Sequence, residues 1–274
     1  MYEQYWNLAC RPFENHFSPA FFFNSETHEA ARLKLRYLVE NRLGVGVLCG
    51  GIGTGKTAVA ALLQHELGET CGPVVHVVFP KMPSAAFLAY LAMKLGAPDA
   101  THDVRQGIDR TLGRIETQLR ACSEHGQRPA IIVDEAHQID DVRVFECLQL
   151  LLNFQQDPAC SFSLLLVGAT NLLGRLERMP QLNERIAVRS VLEPLSHDDT
   201  VGYVAHRLRA AGAKQEIFER DAITVLFDRS GGIPRRINRL ADLALVVGYA
   251  DQLERIGPAE IEAVAEELPS AVAA

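Results

Sequence analysis

Short apolar runs and longer amphipathic stretches alternate along the first two thirds of the chain. "VGVLC" at 45–49, "VVHVVF" at 74–79, "AIIVD" at 130–134, "FSLLLVG" at 162–168 and "IAVRSVL" at 186–192 each have strand length. Helical spacing of apolar positions fills 56–67, 84–95, 104–122, 142–154 and 172–178. Short apolar strands alternating with helices predict a parallel sheet covered on both faces. After Pro194 only helical periodicity remains, at 200–211, 220–228, 234–249 and 259–268, which predicts a small α-helical domain appended to an α/β core. There is no internal repeat, and the final "SAVAA" reads as a frayed tail.

Composition narrows the class. Of 274 residues, 48% are hydrophobic and 22% charged, enough to bury a real core. The net charge of −7 gives no bulk attraction to phosphate backbones, so DNA is a possible but disfavoured partner. The six cysteines form no C-x-x-C pair and suit reduced thiols. The start of the chain lacks the apolar core of a signal peptide, and no window has the ~18 apolar residues of a membrane span. A cytoplasmic protein is expected.

"GGIGTGKT" at 50–57 fits G-x-x-x-x-G-K-[ST] and lies between a predicted strand and a predicted helix, the context that motif needs. Gly50, Gly51, Gly53, Thr54 and Gly55 form a loop whose N–H groups can turn inward on phosphate oxygens. Lys56 supplies a charge to the β- and γ-phosphates of ATP, and the Thr57 hydroxyl supplies a Mg²⁺ position. Asp134 ends an apolar strand at the carboxyl edge of the sheet, where ligands bind. It can hold Mg²⁺ through water. Glu135 beside it can orient and deprotonate a water aimed at the γ-phosphate. An ATP hydrolase is therefore expected. Its predicted domains are 1–40, an N-terminal aromatic arm and leading helix; 41–194, the P-loop core; 195–268, a helical lid; and 269–274, a tail.

Asp134–His137 also spells DEAH, a word shared with a class of RNA helicases. Those enzymes close two tandem lobes over ATP. Here only two strands and then helices follow Asp134, and the Q-R-x-G-R-x-G-R signature of a second lobe is absent. "GAT" at 168–170 resembles the helicase S-A-T motif, but it ends a strand and is followed by Asn171, which suits a γ-phosphate sensor. The helicase reading is rejected, and His137 is left as a neutral or helix-starting residue.

The phosphate loop, the Asp–Glu strand end, "GATN", the arginines of "NERIAVR" and "GGIPRRINRL" together resemble an AAA+ ATPase. The resemblance implies a five-stranded sheet of order 5-1-4-3-2. It makes Asn171, with Thr170 as alternative, the first sensor, and Arg235 the second. It places Arg185, with Arg189 as alternative, as an arginine finger toward a neighbouring subunit, hence a homo-oligomer. "YWNLACRPFE", "FFFNSETHEAARLKLRY" and "LEPLSHDDTVGYVAHRLRAAG" make the chain similar to ATPases of the general secretion pathway protein A type. That implies an unidentified protein partner in a secretion or envelope setting. Two departures stand out. Those ATPases carry G-Q-P where this chain has Gly168, Ala169 and Thr170. They also continue into a membrane span and a cell-wall-binding domain, so neither property carries over. Transposition target-selection and replication ATPases share much of this core and bind DNA; they are the alternative. Residues 196–240 carry eight Lys/Arg against six Asp/Glu, a balance that favours the protein partner. Phe13, Phe17, Phe21, Phe22 and Phe23 crowd the arm, either packing it onto the core or walling an adenine pocket.

Overall fold

The computed structural model describes residues 1–97 and 107–268. The first residues of the helix expected at 104–122, and the tail at 269–274, lie outside them. The chain forms two compact units. A sheet unit comprises Glu26–Gly51 and Lys56–Leu192. A helical unit comprises Met1–Ser25, Ile52–Gly55 and Glu193–Ala274.

The sheet unit holds β1 (Val45–Gly50), β2 (Val74–Val77), β3 (Ala130–Val133), β4 (Ser163–Gly168) and β5 (Ile186–Leu192). They pair in parallel in the order β2-β3-β4-β1-β5. This is the 5-1-4-3-2 order that the family resemblance implies. Central strands β1, β3 and β4 are buried at every position, as strands covered on both faces must be. Val45, Val47 and Cys49 share a core with Phe87 of α4 (Ser84–Lys94), Leu119 of α5 (Ile108–Glu124) and Phe145 of α6 (Val142–Leu152). On the other face, Leu35 and Leu38 of α2 (Glu26–Glu40) close on Gly46, and α3 (Lys56–Thr70) packs beside them. Ala31, Leu35, Leu38 and Val39 recur at helical spacing and are fully buried. Each leucine contributes about 2 kcal/mol by burial. Two short helices, α7 (Asn171–Glu177) and α8 (Pro180–Asn183), lead into β5.

Strand β2 stops at Val77, two residues earlier than its apolar run suggests. Asp134 N–H caps the ladder by donating to the Val77 carbonyl at 2.8 Å, and Val78 and Phe79 emerge into solvent.

The helical unit contains α1 (Tyr2–Tyr5), α9 (His197–Ala210), α10 (Arg220–Ser230), α11 (Pro234–Ala250) and α12 (Pro258–Glu267). Ser196 caps α9 by accepting the Asp199 N–H at 3.0 Å, and Pro234 and Pro258 open α11 and α12. The aromatic arm packs within this unit. Trp6 Nε1 donates to the Leu245 carbonyl at 3.0 Å, Phe13 meets Phe218 edge-on, and Phe23 meets Tyr203. Arg207 is buried among backbone carbonyls of the arm, donating at 2.6 Å to both Pro12 and Glu14. No helix of the described residues is long and apolar enough to cross a membrane.

Candidate functional site

The parallel sheet sets the site. Strand β4 lies between β3 and β1, so the ends carrying Gly50, Asp134 and Gly168 open at one edge. Register brings Gly168 beside Cys49, and Val133 beside Leu166. The segment that follows β4, with Thr170 and Asn171, thus leaves the sheet between the phosphate loop strand and the acidic pair.

Within the loop, Gly53 and Gly55 hold φ of +81° and +99°, a backbone region that strains any side chain. At Gly53 a Cβ would also lie 2.9 Å from Cβ of Arg235 and 3.0 Å from Cγ2 of Ile233, in the same helical unit. The Arg235 N–H donates to the Gly53 carbonyl at 3.3 Å, so the first turn of α11 rests on the Gly53 turn, with the Arg235 side chain exposed. Thr54 is buried. Lys56 opens α3, and its Nζ donates to the carbonyls of Gly51 at 2.7 Å and Gly50 at 3.1 Å. The ammonium is thereby folded into its own loop, and only 8% of the residue is exposed.

Asp134 is almost wholly buried. Burial pushes its pKa up. The His76 ring, the Glu135 N–H at 2.8 Å and the Thr57 hydroxyl outweigh burial and hold the carboxyl below its ordinary range. His76 Nε2 stands 3.6 Å from Asp134 Oδ2, which is an electrostatic contact and too long for a hydrogen bond. That nitrogen has no hydrogen-bond partner, while Nδ1 pairs with Gln64 Oε1 at 3.2 Å. Thr57 and Asp134 offer a hydroxyl and an ionised carboxylate, the hard oxygen donors that suit Mg²⁺. Among the described residues no group of three or more His, Cys, Asp or Glu forms a metal cage. Such a cage is not needed by Mg²⁺, which takes one or two protein oxygens together with phosphates and water.

Glu135 follows in the left-handed region, at φ 51° and ψ 33°. For a residue with a side chain this costs about 1 to 3 kcal/mol, and such strain gathers at functional sites. Sequence reasoning passed over the neighbour that meets its carboxylate. His137 Nδ1 lies 3.3 Å from Glu135 Oε2, and the same atom accepts the Ala169 N–H at 3.2 Å. No spacing signal announces this. The adjacency of β3 and β4 brings Ala169 to His137, as the adjacency of β2 and β3 brings His76 to Asp134.

Thr170 and Asn171 are both exposed, at the cap and first residue of α7. Arg185 is half-buried and donates to Asn153 Oδ1 at 2.6 Å; Arg189 is exposed and donates to Asn183 Oδ1 at 2.5 Å. Among the described residues neither arginine forms an ion pair with Glu184 or Glu193. Arg185 precedes Ile186, which pairs with Val45 at the start of β1, whereas the phosphate loop begins at the other end of that strand. Arg185 therefore lies at the sheet edge opposite the loop.

Residues 40–176 match the family model described as AAA domain. The chain is 33% identical over 270 residues to General secretion pathway protein A of Aeromonas hydrophila, a match covering 98% of this chain and 48% of that protein. The chain thus spans about half the length of that relative. Among solved structures it resembles the Aeropyrum pernix ORC2 protein, with a TM-score of 0.74 and 16% identity. It also resembles Cdc6p from Pyrobaculum aerophilum, with a TM-score of 0.75 and 17% identity. Each match covers 96% of this chain and 72% of the other, and at these identities each shows the fold alone.

Proposed function

The chain belongs to the AAA domain family, and from that premise we propose that it binds Mg²⁺–ATP and hydrolyses the β–γ phosphoanhydride. Turnover then switches a homo-oligomeric assembly that acts on a protein partner, in the cytoplasm and in a secretion or envelope setting. The observation that carries this reading is the acidic pair. Asp134 is almost wholly buried with its carboxyl held below the ordinary range, while Glu135 is held in a strained backbone one residue on, at the sheet edge where the phosphate loop opens.

In this reading Gly50, Gly51, Gly53, Thr54 and Gly55 present N–H groups to the phosphates, and Lys56 exchanges its two carbonyl acceptors for phosphate oxygens. Thr57 and Asp134 would hold Mg²⁺, which when bound neutralises phosphate charge. Glu135 orients a water and takes its proton. Asn171 (or Thr170) and Arg235 sense the nucleotide. Arg185, at the edge opposite its own loop, serves a neighbouring subunit, with Arg189 as the alternative. The secretion setting rests on the relative's name, and the balanced charge of residues 196–240 favours a protein over a nucleic acid.

Nucleotide binding and phosphate release, measured on two variants, test the reading. Lys56→Ala is expected to lose ATP binding. Glu135→Gln is expected to bind ATP as the parent does and to release no phosphate above background. Wild-type turnover by Glu135→Gln removes Glu135 from the role of base.

A further inference from the structure

The two edges of the sheet are finished differently. At one edge β2 is four residues long, and Val78 and Phe79 turn away from the ladder. A short edge strand is a common guard against pairing with foreign chains. At the other edge β5 runs for seven residues and pairs only with β1, so one side of its backbone has no strand beside it.

The β1–β5 ladder also slips. Val45 pairs with Ile186 but Gly46 with Val188, which leaves Ala187 as an extra residue. The slip sets the faces of the edge. Val188 shares the side of Gly46, toward α2, whereas Arg189 and Val191 share the side of Val47 and Cys49. Between Val188 and α2 lies an open groove of about 490 Å³, lined by Leu33, Lys34, Arg36, Tyr37 and Glu40. Leu33 and Tyr37 stand four residues apart on one face of the helix, and they remain 50% and 58% exposed. Val191, on the other face of the edge, is exposed as well.

The charges around this surface have one sign. Arg36 is answered by Glu40 at 2.7 Å. Lys34, Arg42 and Arg189 are exposed and form no ion pair among the described residues. Arg42 belongs to the turn that borders the start of β5, since a Cβ at Gly44 would stand 3.6 Å from the Arg185 carbonyl oxygen.

We infer that the β5 edge and the α2 groove form a docking site for an extended, acidic and aliphatic segment of a partner protein, which joins the sheet as a sixth strand. Its main chain pairs with the free side of β5, and its side chains alternate between the two faces. Those on one face fill the groove over Leu33, Tyr37 and Val188. Those on the other meet Arg189. Lys34 and Arg42 add positive potential that draws an acidic segment in. Two copies of this chain meeting edge to edge would set three uncompensated cations against three, so charge favours an acidic partner over a second copy. A nucleic acid would answer the cations but neither the strand backbone nor the apolar floor. The inference goes beyond the proposed ATP chemistry and needs no turnover, so the nucleotide-free chain tests it.

Two N-acetylated peptides serve as probes, one alternating leucine with glutamate and one alternating leucine with lysine, each long enough to pair along all of β5. Calorimetry measures their binding to the full chain, and amide hydrogen exchange shows which strand gains protection. The leucine–glutamate peptide is expected to bind at least tenfold more tightly than the leucine–lysine peptide and to slow exchange in β5 but not in β2. Leu33→Glu/Tyr37→Glu should weaken its binding at least tenfold. Lys34→Glu/Arg42→Glu should weaken it at least fivefold and flatten its salt dependence. All four positions are exposed, so the fold tolerates both double variants, and unchanged melting temperatures check this. Equal affinity for the two peptides overturns the inference, as does protection of β2 in place of β5, or full affinity in Leu33→Glu/Tyr37→Glu. Self-association of the parent that Leu33→Glu/Tyr37→Glu abolishes assigns the edge to a second copy and overturns it too.

Discussion

Two buried charges, one in each unit, are handled in opposite ways. In the sheet unit Asp134 keeps its charge because groups from β2, the turn after β3 and α3 surround it, and it stands at the open edge of the sheet. In the helical unit Arg207 forms no ion pair among the described residues. Its guanidinium donates to backbone carbonyls of the arm and lies over the rings of Phe21 and Tyr203, and burial lowers its pKa. The first charge stands at the carboxyl edge of the sheet, beside a strained neighbour and an unpartnered His76 nitrogen. The second is spent on shape, tying residues near 12 to a helix near 207. The sheet unit concentrates its irregularities at the carboxyl edge of its strands, whereas the helical unit uses its buried polar groups to close a fold from distant pieces.

The largest effect that sharpens this contrast concerns a completed active site. Arg185→Ala should bind ATP normally and hydrolyse it about 10³- to 10⁵-fold more slowly, the usual worth of a finger arginine. Mixing it with Lys56→Ala should recover part of the activity, since an intact loop then meets an intact finger across one interface. Specific activity that is independent of concentration, with no rescue on mixing, leaves a monomeric ATPase and confines the chemistry to one chain.

A smaller effect tests the helical unit alone. Trp6 is the chain's one tryptophan, and its ring fills the space beside Gly248. Trp6→Ala should cost about 3 to 5 kcal/mol of stability in that unit. Hydrogen exchange should then quicken in α9 to α12 while amides of β1, β3 and β4 keep their protection. Equal loss in both units breaks the contrast, because it makes them one cooperative block.

The smallest effect is one of pH. Burial lowers the pKa of His206, against the hydrogen bond between its Nε2 and the Ala20 carbonyl at 3.1 Å. The folded pKa lies below the unfolded one, so the unfolded state binds the proton more readily. The stabilisation is complete above the ordinary histidine value, about 6.5, and drains away as pH falls through it toward the folded value. Between pH 7.5 and 5.5 the parent should lose more melting temperature than His206→Gln. Parallel losses in the two proteins assign the effect to other groups.

Local pattern carried the sheet unit well. All five strands sit where the apolar runs lie, and the central three, buried on both faces, read as nearly unbroken apolar runs. The phosphate loop and the acidic pair were equally plain as motifs bounded by strands and helices. Two kinds of feature were not legible. Val78 and Phe79 look like strand, yet β2 ends where Asp134 caps it, and a neighbouring strand's backbone decides that. His76 reaches Asp134, and His137 reaches Ala169, only through strand adjacency, which no periodicity encodes. The arm's aromatics were visible as a cluster, but their partners lie some two hundred residues away, beyond any window of sequence.

That separation has a consequence during synthesis. Tyr2, Trp6 and Phe13 leave the ribosome before the whole sheet unit, yet the helices that bury them come after it. At about 5 to 20 residues per second the arm waits roughly ten to fifty seconds with its rings uncovered. The sheet unit can complete its core in that interval from its own strands and helices. The arm cannot, and for that time it is an aromatic segment open to chaperones and to the arms of other nascent chains.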